Sequence, residues 1–396
     1  MKLLNFVVFF AVFFTVYGSA NYYIFIRGWK ALPSDSRIKI AYLSVFLFLA
    51  VSYIVGRILG RFTVCGLSQW LTWIGSFWFG IMLYLFLILV VVDLVRLSNH
   101  FFHWFPMWMT ANSDRAKQLT ALAAIAITSV VMVVGYLNAL NPRIQRVDIT
   151  IPKLNEKRES LTIALVTDIH LGTIIDNSRL AYMVDMINGL HPDIVLLAGD
   201  IVDEDIRPVI EDNMGETLRN IRSRYGTYAV TGNHEYYGGV EESVRYLTDH
   251  GVAVLRDTAI TIDERFILVG REDRTSTQMT GRERKPLEQI LAGVNKELPI
   301  VLMDHQPFGL YQAVQNKIDL QVSGHTHNGQ LWPIQLITHM IFELSWGYKK
   351  VGNTNFYVSC GYGTWGPPVR LGNQPEVVQI HLRFGLGSTP NSLTGD

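Results

Sequence analysis

Along the first 140 positions apolar residues run on almost without interruption, and no polar face recurs at helical spacing. Four stretches, at roughly 4–26, 38–59, 71–95 and 119–140, reach the ~20 residues that a helix needs to cross a bilayer. Core helices of a water-soluble domain would need polar faces, so the pattern predicts four transmembrane helices. Aromatic residues near the ends of these stretches (Tyr22, Tyr23, Trp70, Trp73, Trp104, Trp108) suit interfacial belts. From about 161 the pattern changes. Short apolar, β-branched runs at 161–167, 194–198, 228–231, 267–270, 300–303 and 320–323 read as buried strands, with helical segments at 179–190, 240–250 and 287–295 between several of them. Strands predominate later, at 355–360 and 376–382. The second half is expected to be an α/β domain over 161–384 with a sheet layered between helices. A linker is expected at 141–160 and a flexible tail at 385–396. No internal repeat or low-complexity segment is present.

Charge sharpens the division. Only 17% of the 396 residues are charged, against roughly 25% in soluble chains. Thirteen of these charges fall in the first 140 residues, ten basic and three acidic; the remainder of the chain carries 24 basic and 31 acidic residues. An acidic soluble half excludes sequence-independent binding of nucleic acid. The two cysteines, Cys65 and Cys360, lie in different halves and offer neither a disulfide framework nor a zinc clip.

The loops set an expected orientation. Those after the first and third stretches hold Arg27, Lys30, Arg37, Lys39, Arg96, Arg115 and Lys117, whereas the opposite side holds Lys2, Arg57 and Arg61. Counting short loops puts the richer side in the cytoplasm and the C-terminal domain outside it. The expectation is a multi-pass protein of a bacterial inner membrane. Gly18, Ser19 and Ala20 offer the small residues of a signal-peptide cleavage site, but the apolar run continues through Ile26, which favours an uncleaved helix. Asp93 near the end of the third stretch reads as half of an ion pair with Arg96, one turn on.

Chemistry collects behind the strands of the second half. Asp168 and His170 follow the first strand, and Asp200 follows the second in Gly199-Asp200. Asn233 and His234 follow the third in Gly232-Asn233-His234-Glu235. His305 stands in Asp304-His305-Gln306-Pro307, and His325 and His327 in Gly324-His325-Thr326-His327. Sites in α/β sheets form outside the carboxyl ends of strands. Each group alone reads as a turn residue or a surface histidine; the ordered set does not. Carboxylate, amide oxygen and imidazole together suit Mn²⁺, Fe²⁺ or Zn²⁺.

With these motifs the sequence resembles the calcineurin-like metallophosphoesterase superfamily over about 161–382. The segment from Gly361 to Gly372, with Gly363-Thr364-Trp365-Gly366-Pro367-Pro368 at its centre, is similar to the bacterial membrane-associated branch of the YkuE and YaeI phosphoesterases. The resemblance implies a four-layered αββα sandwich behind the four-helix membrane region, and two divalent metal ions. It implies that Asp168, His170, Asp200 and His327 hold one ion, and that Asp200, Asn233, His305 and His325 hold the other, with Asp200 bridging. His234 would act on the leaving group as general acid or transition-state stabiliser, and Asp203 would orient it. The implied chemistry is hydrolysis of a phosphate or pyrophosphate ester by hydroxide that the metal pair generates.

The segment 331–346, strongly apolar and directly after two candidate ligands, is either a buried helix or loop or an interfacial segment dipping into a membrane. With the membrane helices it makes a phosphorylated or pyrophosphorylated lipid the leading substrate expectation. The alternatives are a tethered hydrolase of soluble phosphomonoesters or nucleotides, and a non-catalytic membrane receptor or scaffold. The complete ligand set speaks against the last.

Overall fold

The computed structural model describes residues 2–153 and 160–385. It forms two units: Met1–Leu137 with Gly366–Val369, and Asn138–Trp365 with Arg370–Asp396. The tail expected from 385 lies, from 386 on, outside the described residues.

The first unit is helical, with α1 (Lys2–Ala31), α2 (Ser36–Phe62), α3 (Gly66–Phe102), the short α4 (Met107–Ala111) and α5 (Ser113–Ala139). In hydrocarbon each backbone N–H and C=O needs a partner within its own segment, and the helix supplies it. Among the described residues three helices, α2, α3 and α5, are long and apolar enough to cross a membrane. The fourth expected span, 4–26, falls within α1. α3 overruns the stretch read for it. Its 37 residues extend about 55 Å at 1.5 Å per residue, well past the ~30 Å of a hydrocarbon core. Nothing between Arg96 and Phe102 breaks a helix; the chain stops at His103, whose φ of 49° is left-handed.

α1, α2 and α3 share a small aromatic core of Ile24, Phe46, Ala50 and Trp78. The Phe46 and Trp78 rings meet edge to face at 5.1 Å, and Trp78 Nε1 donates to Asn21 Oδ1 at 3.0 Å. Asp93 does more than pair with Arg96, which lies 3.7 Å away. It also binds Arg27 of α1 and accepts from the Tyr23 hydroxyl at 2.6 Å, so it ties α1 to α3. The α2–α3 contact is close because glycines lie in it. A Cβ on Gly75 would strike the Tyr53 backbone, and one on Gly56 would come within 2.6 Å of Thr72 N. Such small residues let membrane helices approach each other. Gly75→Leu should therefore push α2 from α3 and destabilise the bundle by about 2 kcal/mol, read as thermal unfolding in detergent. An unchanged melting temperature would mean that the helices do not meet there.

The second unit holds twelve described strands: β1 (Arg143–Ile151), β2 (Ser160–Val166), β3 (Ile194–Ala198), β4 (Thr227–Val230), β5 (Val252–Val254), β6 (Thr258–Ile262), β7 (Phe266–Gly270), β8 (Ile300–Met303), β9 (Leu320–Ser323), β10 (Gly347–Val351), β11 (Thr354–Val358) and β12 (Glu376–Phe384). They make two sheets, in the orders β1-β12-β2-β3-β4-β5 and β10-β11-β9-β8-β7-β6. β2, β3, β4 and β5 run parallel, as do β7, β8, β9 and β11. Alternation along the strands divides their side chains between two faces. Leu161, Ile163, Leu165, Leu196 and Val230 meet Leu268, Val301, Met303 and Val322 between the sheets. On the other face of the first sheet, Ala164, Val166, Val195 and Leu197 pack against Leu180, Met183 and Ile187 of the helix Asn177–Gly189. On the other face of the second, Ile267, Val269 and Leu302 pack against Leu287, Ile290 and Ala313. The layers run helix, sheet, sheet, helix.

The structure corrects the sequence reading in two places and bears on a third. The expected linker carries β1, which pairs in parallel with β12 from Arg143↔Glu376 to Ile151↔Phe384. Its alternating burial at Val147, Ile149 and Ile151 is that of a strand with one wet face. The helix expected at 287–295 stops at Ile290, ahead of Gly293 with φ 79°. Of the segment 331–346, for which a buried and an interfacial reading stood open, Leu331, Gln335 and Ser345 are buried and much of the rest is exposed. The segment forms the helix Gln335–Ile341, and Leu336, Ile337, Met340 and Ile341 on it are 51–78% exposed.

Candidate metal centre

Each expected residue stands just past a strand that supplies rigidity but not its own conformation. The chain must turn sharply there, and Asp168, His170, Asp200, His325 and His327 all adopt left-handed φ, between 46° and 72°. Non-glycine residues take that region at a cost, and such outliers cluster at functional sites. Gly199 also has a positive φ, of 89°, and a Cβ there would run into the His305 ring. At Gly324 it would run into the Asp168 carboxylate. These glycines allow the ends of the two sheets to close on one another.

The turns gather the side chains into one buried cluster. Asp168, His170 and His327 offer donor atoms that all lie within 4.8 Å of one another, and so do Asp200, His305 and His325. His170 Nε2 and His327 Nε2 are 3.0 Å apart, and His327 Nε2 is 3.5 Å from Asp168 Oδ1. His325 Nδ1 and Asn233 Oδ1 are 2.8 Å apart. Asp200 faces both sets, its Oδ2 lying 3.1 Å from His305 Nε2 and 4.0 Å from His170 Nε2. All seven expected ligands are thus brought together. The third set, His170, Asp203 and His234, adjoins the first through His170.

The donor set fits a divalent cation. His305 Nδ1 donates to the Ala198 carbonyl at 2.8 Å, which turns Nε2 towards Asp200 Oδ2, 3.1 Å away. His305 Nε2 is buried and has no hydrogen-bond partner. A buried polar atom left without a hydrogen bond is costly unless something meets it. Burial and the charge of His305 hold His325 below the usual histidine range, against the pull of Asp200 and Asp168. Burial, with the His170 and Arg370 charges beside it, holds His327 well below that range. Neutral rings are what metal ligation needs. Burial works the other way on Asp200, but the surrounding histidines outweigh it, and its carboxyl stays well below the usual range. At His305 burial is outweighed by the Asp200 charge, which holds that ring well above the usual histidine range, so a cation between the two would take the place of that proton.

His234 differs. Its Nδ1 lies 3.0 Å from Asp203 Oδ1, and its backbone N donates to Asp200 Oδ1 at 2.9 Å. Burial disfavours its charge, yet Asp200 and Asp203 together push its pKa up to about 9. It carries a proton at neutral pH, with Nδ1 committed to Asp203. Tyr237 and Trp365, both half exposed, stand beside its ring at centroid distances of 5.6 and 6.1 Å.

Two supporting residues were not assigned from sequence. Glu235 is fully buried and accepts from the backbone N–H groups of Asp200, Ile201, Val202 and Gly232 at 2.7–3.2 Å. It fixes the two loops that carry Asp200 and Asn233. The signal was the acid three residues after Gly232 at a helix start. Arg370 is also fully buried. It donates to the Gly363 carbonyl at 2.6 Å and to the Gly361 carbonyl at 3.2 Å, and lies 3.3 Å from His327 Nδ1. It braces the Gly361–Gly363 loop, whose Gly363 N donates to the Asp168 carbonyl at 2.8 Å. Only its place in the glycine-rich tail singled it out.

Comparison with known proteins gives the family. The family profile described as calcineurin-like phosphoesterase matches residues 161–329. A transmembrane protein with metallophosphoesterase domain from Danio rerio is 33% identical over 276 residues, covering 66% of this chain and 62% of the relative. An uncharacterised metallophosphoesterase of Aquifex aeolicus is 31% identical over 243 residues, covering 61% and 92%. The uncharacterised metallophosphoesterase YkuE of Bacillus subtilis is 27% identical, covering 57% and 80%. The chain therefore spans a little under two thirds of the Danio protein's length.

Proposed function

From the premise that this chain belongs to the calcineurin-like phosphoesterase family, we propose that it is a membrane-anchored, metal-dependent hydrolase of a phosphate or pyrophosphate ester. The observation that carries this reading is the convergence of Asp168, His170 and His327 with Asp200, His305 and His325, Asp200 facing both sets. Asp168, His170, Asp200 and His327 would hold one ion, and Asp200, Asn233, His305 and His325 a second, of Mn, Fe or Zn. When bound, such ions neutralise phosphoryl oxygens and make water a stronger nucleophile at neutral pH. The protein's own residues do the rest. Asp203 holds Nδ1 of His234, leaving Nε2 to face the substrate. The protonated ring offsets charge on the departing oxygen and can deliver its proton there. Glu235 and Arg370 keep the loops from relaxing as charge moves.

The finer reading is a phosphorylated lipid substrate. What supports it is the exposed apolar helix Gln335–Ile341, adjoined by Phe342, whose ring lies 5.9 Å from that of His325. An apolar surface beside a polar site suits an amphiphile at a bilayer. We further propose that α1 is a fourth span, that the glycine-rich tail places the chain in the YaeI-like bacterial branch, and that the catalytic domain lies outside the cytoplasm of an inner membrane. The test is phosphate release by the full-length protein with Mn²⁺ from lipid phosphates and pyrophosphates, beside an aryl phosphodiester. Release from one lipid class supports the lipid reading. Activity on the aryl ester alone leaves a tethered hydrolase of soluble esters. No release from any substrate by metal-loaded protein overturns the enzyme.

A further inference from the structure

The helical unit contains a half-open cavity of about 640 Å³, in the range of ligand sites. Its walls come from α1, α2 and α3 on one side and α5 on the other. α5 meets α3 through the Tyr136 and Phe77 rings, 5.4 Å apart. The lining residues of α5 run from Lys117 to Leu137, about 30 Å of helix and thus about the depth of a hydrocarbon core. Along that length the lining is overwhelmingly aliphatic and aromatic, which does not hold water.

One end is different. Arg27 and Lys30 in the last turns of α1, Arg96 towards the end of α3 and Lys117 near the start of α5 all line the cavity. Chain direction brings these four positions to the same end of the bundle. No acid lines the cavity. Asp93 binds Arg27 and Arg96 from the side, and Asp114 meets Lys117 at 2.8 Å with its carboxylate largely exposed. Lys30 has no ion-pair partner among the described residues. The four cations thus outnumber the two acids and converge where a hydrocarbon slot meets the polar interface.

We propose that this cavity is a binding site for an anionic phospholipid. Its phosphate sits among Arg27, Lys30, Arg96 and Lys117, and an acyl chain lies between α5 and the α1–α3 bundle. Basic pockets between membrane helices recognise anionic head groups in this way. A second copy of this chain is a poorer occupant, because it would bring the same cations to the same end. The site shares no residue with the metal centre, so it stands or falls apart from the proposed hydrolysis.

The experiment uses full-length protein carrying Asp200→Asn, so that turnover of any lipid cannot confuse the result. The protein is delipidated and titrated with phosphatidylglycerol or phosphatidylcholine in mixed micelles, with bound lipid counted by native mass spectrometry. Phosphatidylglycerol should bind at least tenfold more tightly. Lys30→Gln and Lys117→Gln should each weaken it by about fivefold, the worth of one interfacial cation. Both side chains lie at the bundle's polar end, so these variants keep the fold. Ala124→Trp, which fills the middle of the slot, should abolish binding of either lipid. Equal affinity for the two lipids, lysine variants that bind as the parent does, or a lipid-free dimer as the sole species would overturn the proposal.

Discussion

Asp200→Asn should lower turnover by at least about 10³-fold, on the order of 4 kcal/mol of barrier, while the protein stays folded. Asn keeps the shape of the side chain and removes its charge. Asp200 is 2% exposed and faces His305 at 3.1 Å and His170 at 4.0 Å, so both ligand sets lose the same anion. An amide also puts N–H groups where a cation needs lone pairs. Metal per chain, by elemental analysis, should fall with the activity. Ligand linkage offers a second readout. Mn²⁺ at a hundredfold over its Kd should stabilise the parent by about 3 kcal/mol, and the variant by much less. The metal-free variant should melt somewhat below the metal-free parent at neutral pH, because the histidines that hold the Asp200 carboxyl well below the usual range lose their counter-charge. Normal metal content with normal turnover would sink the shared-carboxylate reading.

His234→Ala should separate catalysis from metal binding. Asp203 and Asp200 keep its ring protonated despite burial, with a pKa of about 9. Yet none of its ring atoms belongs to the two sets that meet at Asp200. The variant should therefore retain metal and lose about 10²–10⁴-fold in turnover, the usual worth of a positioned acid. The loss should depend on the leaving group. An alkoxide leaves with nearly a full charge and needs the proton, so alkyl and lipid esters should suffer the full loss. A nitrophenolate spreads its own charge, so an aryl ester should lose far less. An equal loss on both classes, or a parallel loss of metal, would place His234 among the ligands instead.

The positions of these residues were legible in sequence because strands buried on both faces read as unbroken apolar runs. The runs at 194–198, 300–303 and 320–323 are β3, β8 and β9, and the polar residue behind each run marks the strand end. β1 was missed because it is half-buried and edged by charges such as Arg146 and Asp148, so it resembled a linker. β5 and β6 are short, with few buried positions. Glu235 and Arg370 stayed unassigned for a different reason. Their partners are backbone groups of Ile201, Val202, Gly361 and Gly363, and side-chain patterns do not reveal which carbonyls and amides a fold will leave unpaired. The exposure of 336–341 was equally hidden, since an apolar run reads the same in a core and on a surface.

The strand order also constrains how the domain comes into being. β12, the last strand, lies between β1, the first, and β2, pairing in parallel with one and antiparallel with the other. The sheet that carries Asp168, Asp200 and Asn233 therefore has a gap between β1 and β2 until residues 376–384 are in place. Until then, β2 shows an unpaired edge and the inter-sheet core lacks Val378, Ile380 and Leu382. The decisive step in folding this domain is the insertion of β12, because its pairing with β1 is the most distant in sequence. Until β12 is in place, the open edge of β2 is where aggregation and chaperone capture compete with closure.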